Sequence, residues 1–524
     1  MLIRSVKTLL VLLALALSAA AAAATDAGPD AGVVLVRTWC SGCHRETAPG
    51  RFERISSIRK TPEGWVMTLF RMRQVHHLPL PDDVHDAIVR HLADSQGLAP
   101  SEAAPARFAL ERRPNAQDLD LGPELGVMCG RCHSLARVAL QRRDADDWLK
   151  HMHFHVGQYP TLEYQASGRD RPWWQIASQQ LPAELGRRFP LTTSAWSDWQ
   201  RHPPRDLSGS WVVAGHVPGG RDFYGTAELV REPGGDYRAR YALREVGGAA
   251  LGGESHAIVY TGYEWRGRAA LGGREVREVF AVAEDGGRIA GRWFDPDHAE
   301  QGGEWSAIRA DGAPQVLAVL PRALRAGTSG RVVVVGTGLG GTAPVSFGAG
   351  TTATLARREA SALEADLAVA ADAPPGSRDL SVGAATGKLV VYRQIDQLEV
   401  EPAYGIARLG GGRIAPVTAQ FEALAATRLP GGELLPLGPV TAEWSAVPFD
   451  DEARRTADDK FAGRMGADGR YLPAGAGPNP AREYSGDNVG NLAVVATVRD
   501  GGRAVEGRAH LVVTVQRWIT PPIY

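Results

Sequence analysis

The sequence predicts a multidomain protein: an all-α first third followed by three all-β units. Three observations predict it. At roughly 150 residues per domain, 524 residues ask for three or four folding units. Nine of the 14 histidines lie between His44 and His155, in a stretch with helix entry signals. From about Arg205 the texture changes to short β-rich runs separated by glycine turns, and 61 glycines with 34 prolines supply many tight turns. Apolar residues at 44% and charged residues at 22% exclude a disordered chain. Basic residues (58) nearly cancel acidic ones (59), so no polybasic field exists to hold nucleic acid or an anionic membrane.

Residues 1–24 read as an export signal. Arg4 and Lys7 form a positive start, Leu9 to Leu17 is an unbroken apolar run, and Ala19 to Ala24 supply small residues for cleavage. The run is short of the about 20 residues that span a bilayer. No later stretch is long and apolar enough, so the mature chain is expected to be periplasmic, with no membrane span.

The helical third, residues 25–204, carries all four cysteines in two identical frames: Cys40-Ser-Gly-Cys43-His44 and Cys129-Gly-Arg-Cys132-His133. C-x-x-C-H is the attachment site of c-type haem. Two thiols one helical turn apart add across the porphyrin vinyls, and the next histidine lies beneath the iron as fifth ligand. A thioredoxin-type pair needs neither the histidine nor a second copy. A zinc site wants its cysteine pairs about 15–20 residues apart, whereas 85 residues separate Cys43 from Cys129. Two local disulfides would not repeat the histidine. The motifs therefore predict two haem c groups in an all-α dihaem cytochrome c domain.

The two segments read as a degenerate repeat that indicates the sixth ligands. Trp65, behind Thr61-Pro62, is followed seven residues later by Met72; Trp148, behind Asp144, Asp146 and Asp147, is followed seven residues later by His155. Seven residues is about two helical turns, so each pair shares a face. The expected axial pairs are His44/Met72 and His133/His155. Met67, His76 and His77 compete with Met72, and His151, Met152 and His153 with His155. His85 and His91, in the amphipathic stretch Asp82–Ala93, read as solvated helix residues.

Residues 205–312 contain β-rich runs such as Ser210–Ala214, Ala257–Tyr260 and Glu275–Phe280, punctuated by Pro233-Gly234-Gly235 and Asp285-Gly286-Gly287. About eight strands at this spacing predict an antiparallel barrel. Residues 313–396 and 397–524 each have the size and strand density of an immunoglobulin-like sandwich, with Asp450–Asp487 as a long irregular loop. Gly336-Thr-Gly338-Leu-Gly-Gly341 matches a dinucleotide fingerprint but runs into Pro344 and Val345-Ser346-Phe347, a turn and strand where a nucleotide fold needs a helix. Trp211, Trp265, Trp293 and Trp305 read as barrel packing.

The run Trp148–Trp174, with His155-Val-Gly157-Gln-Tyr159 and Gly168-Arg-Asp-Arg-Pro-Trp173-Trp174, completes a pattern of export signal, two haem motifs and three β units. It resembles the α subunit of quinohemoprotein amine dehydrogenase, over essentially the whole mature chain. The resemblance implies a periplasmic heterotrimer with a β-propeller subunit and a small γ subunit carrying cysteine tryptophylquinone, where a primary amine is oxidised. The α subunit would pass electrons through its haems to a blue-copper protein or a small cytochrome c. Cys40, Cys43, His44, Cys129, Cys132 and His133 carry over directly; no residue of this chain is expected to be catalytic. Other readings are a dihaem peroxidase with one open iron, the electron-transfer subunit of another periplasmic dehydrogenase, and a non-catalytic haem-bearing scaffold.

Overall fold

The computed structural model describes residues 30–114, 116–158, 171–483 and 486–515. The export signal, and Tyr159 and Gly168 of the Trp148–Trp174 run, lie outside the described residues.

The first unit is built from short helices: α1 (Asp30–Cys40), α2 (Pro62–Val75), α3 (Asp82–Ser95), α4 (Pro123–Met128) and α5 (Ala145–Gln158), with smaller ones between them. Thr61 caps α2, its hydroxyl accepting from the Gly64 N–H at 3.4 Å, and Pro62 opens the first turn. Asp144 caps α5 in the same way, accepting from the Asp147 N–H at 2.7 Å. The unit is not purely helical. Strands β1 (Ile58–Lys60) and β2 (Gln141–Arg143) pair antiparallel, and Glu46–Ala48 pairs with Arg51–Phe52. Periodicity could not reveal three-residue strands.

Two small cores result. One gathers Cys40, Trp65, Leu69, Ile88, Val89 and Leu92; the other gathers Leu125, Met128, Trp148, Met152, Trp173 and Leu185, with Cys129 packed against it. His91 is not solvated as expected. It packs on α1, where a Cβ on Gly32 would lie 2.1 Å from its Nδ1, so only glycine admits the approach of α1 to α3.

Residues 209–309 form a closed eight-stranded barrel in which each strand pairs antiparallel with the next. Gly302–Arg309 closes onto Gly209–His216, with Trp305 opposite Gly215. Strands read inward and outward alternately, as Tyr237–Glu245 shows with Tyr237, Ala239, Tyr241 and Leu243 buried. Trp211, Trp265 and Trp305 fill the interior with Phe223 and Phe280, as the sequence indicated; Trp293 is only partly buried. Leu98, Ala103, Ala136 and Leu140 of the first unit join the same core.

Beyond it, Gln315–Leu320, Ser329–Thr337, Ala362–Val369 and Thr351–Arg358 make one four-stranded sheet. A second four-stranded sheet includes Gly376–Val382 and Ala385–Tyr392, and Val332, Val334, Leu363, Leu380 and Leu389 share the core. Val333 and Val335 point the other way and pack with Val212 and Tyr224 of the barrel, so the strand is buried on both faces. It ends at Thr337, and the glycine run leads through a turn to the strand Val345–Ser346. The last unit has sheets of three, four and three strands around Phe421, Tyr471, Leu492 and Leu511. Asp450–Asp487 is not the loop expected there. It carries helices Asp451–Arg455 and Asp458–Phe461 and strands Gly463–Met465 and Arg470–Pro473, anchored by a buried Arg482–Asp458 ion pair. Elements of three to five residues are too short to show a hydrophobic period, although Ala462 and Tyr471 reach the core.

Candidate haem-binding centres

At the end of α1 the His44 N–H donates to the Cys40 carbonyl at 2.9 Å and the Cys43 N–H to the same oxygen at 3.1 Å. The three side chains of the first C-x-x-C-H frame therefore leave a single turn. In the second frame Cys129 ends α4 with its N–H on the Leu125 carbonyl at 2.9 Å, and Cys132 and His133 follow in the adjoining turn. No disulfide joins the four cysteines; one of each pair is withdrawn and one exposed. Burial, together with the charge of the second thiol, pushes Cys40 and Cys129 up to about 11.

The histidines are oriented alike. His44 Nδ1 lies 3.0 Å from the Glu53 carbonyl, His133 Nδ1 2.9 Å from the Ser134 carbonyl, and His155 Nδ1 2.8 Å from the His151 carbonyl. A carbonyl can only accept, so Nδ1 carries the proton and Nε2 is left with its lone pair, the arrangement an iron-ligating histidine needs. Burial lowers the pKa of all three, keeping the imidazoles neutral; His155 also feels the charge of His133, and His44 that of Arg54 and His76. His133 and His155 therefore lie, on different elements, within electrostatic reach of each other. His151 is half-buried, stacked on Phe154 with ring centroids 5.5 Å apart, and His153 packs against Trp174.

Met72 sits half-buried in the last turn of α2, its carbonyl accepting from the Leu78 N–H at 3.0 Å. Met67 is half-buried one turn earlier, and His76 and His77 are exposed just past the helix. Of these competitors, His76 is the one whose charge reaches His44.

The spacing argument placed a tryptophan beside each centre, and both are buried, Trp65 and Trp148 at 1% exposure each. Sequence reasoning missed what holds them. Lys60 Nζ lies 5.5 Å from the Trp65 ring and the Arg143 guanidinium 5.6 Å from that of Trp148. The signal was present: a basic pair, Arg59-Lys60 and Arg142-Arg143, stands six and five residues before each tryptophan. Two thiols and one Nε2 at each centre, beside a buried aromatic face, form a donor set that suits covalently attached porphyrin iron. The buried Trp148 Nε1 has no hydrogen-bond partner, a spare donor for such a group.

Four stretches match the sequence models of one family. Residues 30–196 match "Quinohemoprotein amine dehydrogenase A, alpha subunit, haem binding", and residues 204–310, 313–393 and 398–523 match domains II, III and IV of the same subunit. No curated protein matches the chain. Among solved structures, a redesigned β-barrel, mFAP1, bound to DFHBI is 15% identical over 19% of this chain and 91% of its own, with a TM-score of 0.17. Mouse clustered PcdhgC3 EC1-3 is 12% identical over 44% of this chain and 76% of its own, at 0.16. The Bacteroides ovatus mixed-linkage glucan protein SGBP-B is 10% identical over 58% and 60%, at 0.17. Likenesses this slight settle nothing about the chain.

Proposed function

The chain belongs to the quinohemoprotein amine dehydrogenase α-subunit family, and on that premise we propose that it is the dihaem electron-transfer subunit of a periplasmic amine dehydrogenase. The observation that carries the reading is the duplication: two C-x-x-C-H frames, each with a histidine whose Nε2 is left free and each packed beside a buried tryptophan. Haem c, when bound, supplies reversible one-electron chemistry at its iron. What this chain does is anchor and orient. Cys40 and Cys43, and Cys129 and Cys132, provide the covalent tethers; His44 and His133 provide the proximal nitrogens; Met72 and His155 are the proposed distal ligands. The Glu53, Ser134 and His151 carbonyls fix the imidazole planes and tautomers.

In this reading the amine is oxidised on a partner subunit bearing cysteine tryptophylquinone, a propeller subunit completes a heterotrimer, and a blue-copper protein or small cytochrome c takes the electrons away. Residues 1–24 are the cleaved export signal. Residues 25–204 are the dihaem domain, 205–312 the barrel, and 313–396 and 397–524 immunoglobulin-like sandwiches. Among the described residues no helix is long and apolar enough to cross a membrane.

Purification of the native complex from periplasm tests the proposal. Primary amines should reduce the haems, and a small subunit should stain for quinone. Haem that stays oxidised with every primary amine would remove the proposed function.

A further inference from the structure

The turn that carries His133 is held from outside by one carboxylate. Asp118 Oδ1 accepts from the Ser134 hydroxyl at 2.7 Å, and Oδ2 accepts from the Leu135 N–H at 2.8 Å. The neighbouring Leu119 N–H donates to Oδ1 at 2.8 Å. Ser134 is committed on its other side too. Its hydroxyl accepts from the Ala136 N–H at 3.1 Å, and its carbonyl accepts from His133 Nδ1 at 2.9 Å and from the Arg137 N–H at 3.1 Å. The carbonyl that orients the His133 ring therefore belongs to a residue whose side chain is tied to Asp118.

Asp118 brings charge as well as contacts. Burial opposes that charge, but the Ser134 hydroxyl and the Leu135 and Leu119 N–H groups hold the carboxyl below its ordinary value. The anion is felt at His133, where it acts against burial and against the Arg137 guanidinium. The first centre is built otherwise. His44 Nδ1 donates to the Glu53 carbonyl, and the Glu53 N–H donates to the Arg45 carbonyl at 2.9 Å, so backbone pairing positions the acceptor. The Glu53 carboxylate pairs with Arg45 at 3.2 Å. Beyond burial, the charges of Arg54 and His76 press against a positive His44, with Glu53 opposing them.

We propose that Asp118 is a positioning residue of the second haem: it fixes the Ser134 carbonyl that orients His133, and its negative charge lowers the potential of the iron His133 would bind. The inference rests on the dihaem reading and adds to it a residue that makes the two haems unequal. A held acceptor on Nδ1 makes an imidazole a stronger donor to its metal, and a nearby anion opposes an arriving electron. Asp118 is exposed, so solvent screens the second effect and the expected shift is modest.

The experiment uses the holoprotein and its Asp118→Asn, Asp118→Ala and Asp120→Asn variants. Asp120 is the control: an exposed carboxylate of the same segment, it accepts from the Gly122 N–H at 2.9 Å and not from the histidine turn. Intact mass first establishes that both porphyrins are attached. Spectroelectrochemical titration then gives the potential of each haem, and electron paramagnetic resonance of the oxidised protein reads the orientation of the ligand planes. Asp118→Asn should raise the reduced-to-oxidised ratio of the second haem at fixed potential about threefold, about 28 mV for one electron. Asp118→Ala, which removes the acceptors as well, should give at least that shift and also move the g-values of that haem. The first haem should stay in place in both variants, and Asp120→Asn should move neither haem. An unchanged second-haem potential in both Asp118 variants would overturn the proposal. So would an equal shift of both haems, or a shift in Asp120→Asn as large as in Asp118→Asn, since either reports charge spread over the domain and not a held turn. A chain lacking a porphyrin would overturn the dihaem reading itself, and the proposal with it.

Discussion

Arg59 and Arg142 stand opposite one another in antiparallel register and reach the same carboxylate, Glu102. They are corresponding residues of the two half-repeats, each six before its tryptophan, so the pair marks a local two-fold relation between the haem segments. Arg59 takes both Glu102 oxygens, at 2.8 and 2.9 Å, and Arg142 Nε approaches Oε1 at 3.2 Å. Thr193 and the Ala99 N–H complete the shell.

That shell makes Glu102 a keystone of the first unit. Burial raises its pKa, but Arg59, the Ala99 N–H and Arg142 outweigh it and bring it to about 2. Glu102→Gln leaves two buried guanidiniums without a counter-charge, so the expected loss is about 3–5 kcal/mol, read as a lower urea midpoint for haem-domain unfolding. A depressed carboxyl contributes stability above its ordinary value, near 4.3, and loses it as pH falls toward 2. The wild-type midpoint should therefore drop across that window while that of Glu102→Gln stays nearly level.

Ligand identity has an expected spectral outcome. Met72→Leu should abolish the methionine-ligand signature of the first haem, and His155→Leu should leave the second without its distal nitrogen. If His76→Leu produces the change instead, the charge of His76 felt at His44 reports the true partner and the Met72 assignment fails.

Methionine ligation raises haem potential relative to histidine, so the Cys129–Cys132 haem should be the lower-potential centre and pass electrons to the first. Spectroelectrochemical titration of Cys40→Ala and Cys129→Ala variants measures each centre. A lower potential at the Cys40–Cys43 haem would contradict the assignment or the direction.

The barrel is joined to the last unit through His216, whose Nδ1 lies 2.8 Å from Asp222 and Nε2 2.6 Å from Glu422. Burial alone would lower its pKa, but the two carboxylates raise it to about 9. The contribution of a raised histidine is complete below its unfolded value, about 6.5, and is lost as pH rises through 9. Thermal stability should fall between pH 7 and 10, and His216→Gln should flatten that decline. An equal decline in the variant would show that the contact does not couple the units.

What was legible in the sequence follows from range. The C-x-x-C-H frames, the caps Thr61 and Asp144 and the alternating barrel strands are local patterns, and each can be read within a dozen residues. Glu102 serves arginines 43 and 40 positions away, and its one local contact, with the Ala99 N–H, marks only a helix start. Periodicity assigned His91 to a polar helix face without knowing that Gly32 would bring α1 against it. The ion pair of Arg482 with Asp458 likewise joins residues 24 positions apart. The basic pairs before Trp65 and Trp148 were readable, had the two halves been aligned residue by residue.

The central claim is that this chain carries two covalently tethered porphyrins, and intact mass of the processed polypeptide tests it most directly. The account predicts an increment of two haem groups, falling to one when either cysteine pair is replaced by alanine. A wild-type mass with no increment, or with one, would contradict it.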